Sequence, residues 1–96
     1  MKIKWHRLAR QDLRQVRAYI ARDNPKAAAK VARRIREAIE RLADNPALGR
    51  SGRVIDTREL VVTGTPYLVP YTVANDKIVI LRILHGAQQW PSGAGH

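Results

Sequence analysis

The tripeptide Asp-Asn-Pro occurs twice, at residues 23–25 and 44–46, and divides the chain more sharply than any other feature. Proline cannot continue a helix that precedes it, yet it suits the first position of the next one. Asn24 supplies a cap for a helix starting at Pro25. Upstream, Ala9, Leu13, Val16 and Ile20 recur at helical spacing, which predicts a helix from about Ala9 to Arg22. Downstream, Ala28, Val31, Ile35, Ile39 and Leu42 predict a second helix from Pro25 to about Ala43. A connection this short makes the two an antiparallel hairpin. Arg36 and Glu40, and Glu37 and Arg41, stand four residues apart on the outer face of the second helix, at ion-pair spacing.

After residue 50 the hydrophobic period changes from about 3.6 to 2. Arg58–Val62, Tyr67–Val73 and Ile78–Leu84 read as strands. Thr63-Gly64-Thr65-Pro66 and Asn75-Asp76 are the turns between them. Asn45–Arg53 reads as a loop. Met1–Trp5 is a further short strand, with Ile3 and Trp5 on one face. The expectation is an α+β fold: an N-terminal strand, then an antiparallel two-helix hairpin packed on one face of a mainly antiparallel sheet that ends in a three-stranded meander. With 96 residues the chain holds one domain, taken as 1–91, and a Gly- and Ser-containing tail, 92–96.

A two-residue turn at Asn75-Asp76 sets the register. Val73 then faces Ile78, Tyr71 faces Ile80, Val69 faces Arg82 and Tyr67 faces Leu84. One face of the two strands holds Tyr67, Val69, Tyr71, Val73, Ile78, Ile80, Arg82 and Leu84. The other holds Leu68, Pro70, Thr72, Val79, Leu81 and Ile83. The uncharged second set is expected to meet the helices, and the tyrosine-bearing first set to form an open face that a partner covers. Pro70 has no N–H to donate, so a bulge or a missing hydrogen bond is expected there.

The chain has no cysteine. That excludes disulfides, thiol nucleophiles and cysteine-based metal sites, and it fits a reducing cytoplasm. No apolar run approaches the ~20 residues of a membrane helix. His6, His85 and His96 lack partners at ligand spacing, and no phosphate-binding glycine fingerprint or serine elbow occurs. Neither a metal, a cofactor nor a small-molecule substrate is expected. The net charge is +10. Residues 1–50 carry 14 basic and 5 acidic groups, and residues 51–96 carry 4 and 3, so the positive field belongs to the helical half. Such a field suits an acidic protein or a nucleic acid, and equally a solvated helix face. With three Tyr and two Trp, no stacking platform for single strands is evident.

Arg58, Arg82 and His85 are the residues that could cleave a phosphodiester: arginine to stabilise the transition-state charge, histidine to move the proton. Strict alternation would put Arg82 and His85 on opposite faces. The plainer reading makes Arg82 a surface or partner-binding cation and His85 a hydrogen-bonding residue at a strand end. Trp90 is either a lid on the sheet or an anchor for a target.

The runs Arg58-Glu59-Leu60-Val61-Val62, Gly64 to Tyr71 and Ile80 to Ala87, with the hairpin end Asp44 to Gly49, resemble the RelE/ParE superfamily of bacterial type II toxins. The resemblance spans residues 1–91. It implies a cytoplasmic toxin neutralised by a small, often acidic antitoxin. The residues expected at the antitoxin are Leu13, Val16, Arg17, Ile20, Arg34, Val69, Tyr71 and Ile80. Superfamily members resembling RelE cut messenger RNA on the ribosome, and members resembling ParE inhibit DNA gyrase. The basic positions of the RNA-cutting branch fall here at Glu59, Val61, Leu68 and Gln88, none of them basic. The resemblance therefore favours the gyrase branch, with Tyr67, Tyr71, Arg82, His85 and Trp90 at the target and no catalytic residues. The ribosome with its mRNA is the alternative target, with Arg58, Arg82 and His85 catalytic. A basic nucleic-acid-binding module is the third reading.

Overall fold

In the computed structural model, which describes residues 1–86 and Trp90, both ends of the first connection are fixed by local chemistry. The amide of Asn24 returns to the carbonyl of Ile20, closing the first helix at 2.9 Å. The Asn24 side chain accepts from the Ala27 N–H at 3.0 Å and opens the second, with Pro25 in its first turn. The elements are β1 (Lys2–Trp5), α1 (Arg7–Ala21), α2 (Pro25–Glu40), β2 (Arg50–Ser51), β3 (Arg58–Val61), β4 (Tyr67–Ala74), β5 (Lys77–Ile80) and β6 (Leu84–His85). Short 3-10 turns at Arg41–Ala43 and Pro46–Leu48 join α2 to β2. Neither Arg36–Glu40 nor Glu37–Arg41 closes into an ion pair; the described ion pairs belong to Arg50, Arg53 and Arg82.

The sheet runs β1-β5-β4-β3-β2, with β6 beside β4. β1 and β5 are parallel, and the other pairings are antiparallel. The expected α+β architecture holds, with two additions: the β1–β5 pairing and the two-residue β2, which lies in the stretch expected to be loop. The hairpin register is as expected, with Tyr71 opposite Ile80 and Val73 opposite Ile78. Asn75 and Asp76 both have positive φ, 52° and 62°, the signature of the tight turn whose twist matches paired strands.

The sheet faces are the reverse of the expectation. Val69, Tyr71, Ile78 and Ile80 are all fully buried and share one core with Ala9, Leu13, Ala32, Ile35 and Ile39 of the helices. The reason lies in Tyr71. A tyrosine can be buried when its hydroxyl finds partners. The Tyr71 hydroxyl donates to the Pro46 carbonyl at 2.7 Å and accepts from the Gly49 N–H at 2.8 Å. The tyrosine therefore pins the turn after α2 to the sheet. A Cβ on Gly49 would sit 2.7 Å from the Tyr71 ring, so this position needs glycine for close approach rather than for backbone freedom.

Pro70 does mark a break. The carbonyl of Pro70 still accepts from Leu81 at 2.9 Å, but β5 ends at Ile80. Pairing resumes with Leu68 opposite Leu84 and Tyr67 opposite His85. Arg82 and Ile83 thus stand together against Val69, which is a β-bulge. The slip of one residue carries Leu84 to the outer face and His85 to the helix side, where Tyr67 lies.

Candidate functional site

The bulge builds a cleft. Asp12, Gln15, Val16 and Tyr19 of α1 line one wall, and Tyr67, Arg82, Ile83 and His85 line the other, around about 410 Å³. Asp12 organises it. This residue is the single carboxylate of α1, stands beside the helix's apolar stripe, and is 8% exposed. Arg82 donates to it twice, Nε to Oδ2 at 2.7 Å and Nη2 to Oδ1 at 3.0 Å. The backbone N–H of Ile83 donates to Oδ2 at 3.0 Å. One buried carboxylate thus fixes both residues of the bulge to α1. The hydrogen bond to Asp12 is also the main reason that the Arg82 pKa is held above its ordinary value, with burial opposing.

Arg82 and His85 therefore face the same cleft, because the bulge cancels the alternation that would have separated them. The His85 ring meets the Tyr67 ring edge-on, with centroids 5.8 Å apart and planes at 83°. Burial, and secondarily the neighbouring Tyr19, push the Tyr67 pKa above 10.0. Tyr67 is 9% exposed and Tyr19 is 69% exposed, so Tyr19 forms the open rim. Arg58 is not part of this cleft. Its guanidinium donates to the Gly49 carbonyl at 2.7 Å, and it lines a separate cavity with Ser51, Thr57 and Val73.

Among the residues expected to meet a partner, Leu13, Val16 and Ile20 lie on α1 and are largely or partly buried, while Arg17 and Arg34 are exposed. Val69, Tyr71 and Ile80 are corrected: packed under the helices, they offer no surface to an antitoxin, nor Tyr71 to a target. Trp90 is partly buried. Gln88 and the tail 92–96 lie outside the described residues. Asp12, Gln15 and Tyr19 escaped the sequence reading. A lone acid bordering the apolar stripe of an arginine-rich helix was the available sign of Asp12.

On the outer sheet face, Glu59, Val61 and Leu68 contribute no cation. Val61 is exposed and Leu68 is buried. Glu59, 2% exposed, accepts from the Arg53 N–H at 2.9 Å and pairs with the Arg50 and Arg53 side chains at 3.7 and 3.6 Å. It ties down the loop between β2 and β3. No cluster of potential metal ligands occurs among the described residues, and none of their helices is long and apolar enough to cross a membrane.

Residues 3–90 match the family model of the ParE toxin of the type II toxin–antitoxin system parDE. The chain belongs to the ParE toxin family. The protein Y4kP of Sinorhizobium fredii is 46% identical over 90 residues, covering 94% of this chain and 93% of its own. Toxin RelE2 of Caulobacter vibrioides is 40% identical over 84 residues, covering 88% and 91%. A solved chromosomal ParDE toxin–antitoxin system from P. aeruginosa superposes with a TM-score of 0.79 at 32% identity, covering 88% of this chain and 95% of that one. This ParE-family chain is thus the toxin of a ParDE/RelE-type module, and the family implies an antitoxin as its partner.

Proposed function

We propose that this toxin arrests growth by inhibiting DNA gyrase rather than by cutting RNA. The observation that carries the reading is the Asp12–Arg82 pair. Phosphodiester cleavage needs a cation free to meet charge that develops in the transition state. The cation of the His85 cleft is already paired with a buried carboxylate through two of its five N–H donors, at Nε and Nη2. Arg58 is bound elsewhere, and Glu59, Val61 and Leu68 add no positive charge to the outer face. What remains is a cleft with an aromatic and histidine rim, which suits recognition of a protein surface. The RNA-cutting alternative draws its support from His85 and Tyr67 standing side by side.

The test is a plasmid supercoiling assay with purified gyrase, ATP and the toxin. Blocked supercoiling with trapped, cleaved DNA is the expected result, reversed by prior addition of the antitoxin. Unaffected gyrase in the presence of a toxin that still arrests growth would overturn the reading.

A further inference from the structure

The opposite flank of α1 carries a second cavity. Trp5 of β1, Arg10, Leu13, Arg14 and Arg17 of α1 and Arg36 of α2 enclose about 390 Å³. Four of these six residues are arginines and none is acidic. The ion pairs of the described residues involve only Arg50, Arg53 and Arg82, so these four guanidiniums have no carboxylate of their own. Like charges gathered in one concavity repel each other and raise the local concentration of anions. Guanidinium forks match phosphate oxygens in pairs. At ~1.5 Å rise per residue, Arg10 to Arg17 spans roughly 10 Å of α1, a length that two successive phosphates can share.

Trp5 narrows the choice of ligand. It packs against the core yet is only partly buried, so it lends indole surface to the cavity wall. A base can stack on such a surface, and stacking does not depend on base identity. An amphipathic peptide would instead need aliphatic anchors. The lone aliphatic side chain here, Leu13, is 7% exposed.

We infer that this cavity binds a single-stranded nucleic acid, with backbone phosphates on Arg10, Arg14, Arg17 and Arg36 and a base against Trp5. The inference is independent of the gyrase reading, since a gyrase–DNA complex and a ribosome both present nucleic acid. Binding by the full chain of a fluorescein-labelled oligothymidylate of about twelve nucleotides tests it across a salt series. The paired substitution Arg14→Gln/Arg17→Gln should weaken binding at least about tenfold and reduce the log–log salt slope by about 1.5. Lys30→Gln/Arg33→Gln removes the same charge from exposed positions of α2 outside the cavity and should change affinity less than about twofold. Quenching of tryptophan emission by the oligonucleotide should survive Trp90→Phe and vanish with Trp5→Phe. Equal losses from the two charge pairs would overturn the inference, because the binding would then follow net charge alone. A poly-glutamate peptide of equal length that displaces the oligonucleotide at lower concentration would also overturn it, and would assign the cavity to an acidic polypeptide.

Discussion

The two flanks of α1 treat arginine in opposite ways. On one, Arg82 reaches a carboxylate that the helix itself buries, and the bidentate bond makes the cation part of the fold. On the other, Arg10, Arg14 and Arg17 share a cavity with Arg36 and no acid. The sheet repeats the first case, where the Glu59 carboxylate gathers Arg50 and Arg53. The arginines of these sites differ in whether the fold supplies their counter-charge. Where it does, the residue holds a bulge or a loop. Where it does not, as for the four arginines of the cavity, the charge is available to the ligand proposed above.

That contrast can be broken most forcefully at Asp12. Replacing Asp12 with Ala strands a largely buried guanidinium and the Ile83 N–H, and is expected to cost about 3–5 kcal/mol, read from the denaturant midpoint. The double variant Asp12→Leu/Arg82→Met removes both charges and should recover most of the loss. If the single change costs less than about 1 kcal/mol, Arg82 is not held as described.

A smaller effect is expected at Tyr71. Tyr71→Phe removes the bond to Pro46 and leaves the buried Gly49 N–H unpaired, at about 1–3 kcal/mol. It should also alter the alkaline limb of stability. Burial raises the Tyr71 pKa above 10.0, against smaller opposing effects of Gly49 and Arg58. The folded state therefore favours the neutral phenol. That contribution is complete below pH 10, and it is lost as the pH climbs from there through the folded pKa, because the unfolded chain releases its proton first. Stability measured from pH 9 upward should fall less steeply in Tyr71→Phe.

Smaller still is Glu59→Gln. It keeps an acceptor for the Arg53 N–H but ends two ion pairs with half-exposed arginines, for about 1 kcal/mol. Arg14→Gln/Arg17→Gln should leave stability within about 0.5 kcal/mol or raise it slightly, since only repulsion is removed. A loss above about 2 kcal/mol in that variant would show that these arginines, too, are structural.

Much of this fold was legible because local signals agreed with one another. Asn24-Pro25 and Asn75-Asp76 each carry their own geometry, and the turn at 75–76 fixed the pairing of Tyr71 with Ile80. Pro70 announced the interruption through its missing donor. The direction of the slip was not written in the alternation. It depends on Asp12, seventy residues from Arg82, whose bonds to Arg82 and Ile83 hold the bulge. The sheet faces run opposite to the alternation because the tyrosines and the Arg82 charge mark an outward face only where the fold leaves them unpartnered. The Tyr71 hydroxyl is satisfied instead by the Pro46–Gly49 turn, a contact that no pattern of hydrophobicity encodes. The candidate site was half visible. Arg82, His85 and Tyr67 stood out by residue type, whereas Asp12 and Tyr19 became relevant only once α1 lay across the bulge. The arginine cavity was visible as charge but not as a place, since Trp5 and Arg36 come from different elements.

The most direct test of the account is the fate of a messenger RNA in a translating extract given the purified toxin. With Arg82 paired to Asp12 as the one arginine or lysine lining the cleft among the described residues, the transcript should remain full length while gyrase in the same extract loses supercoiling activity. Cleavage of the transcript by the unmodified toxin, abolished by His85→Ala in a protein that still folds, would contradict it.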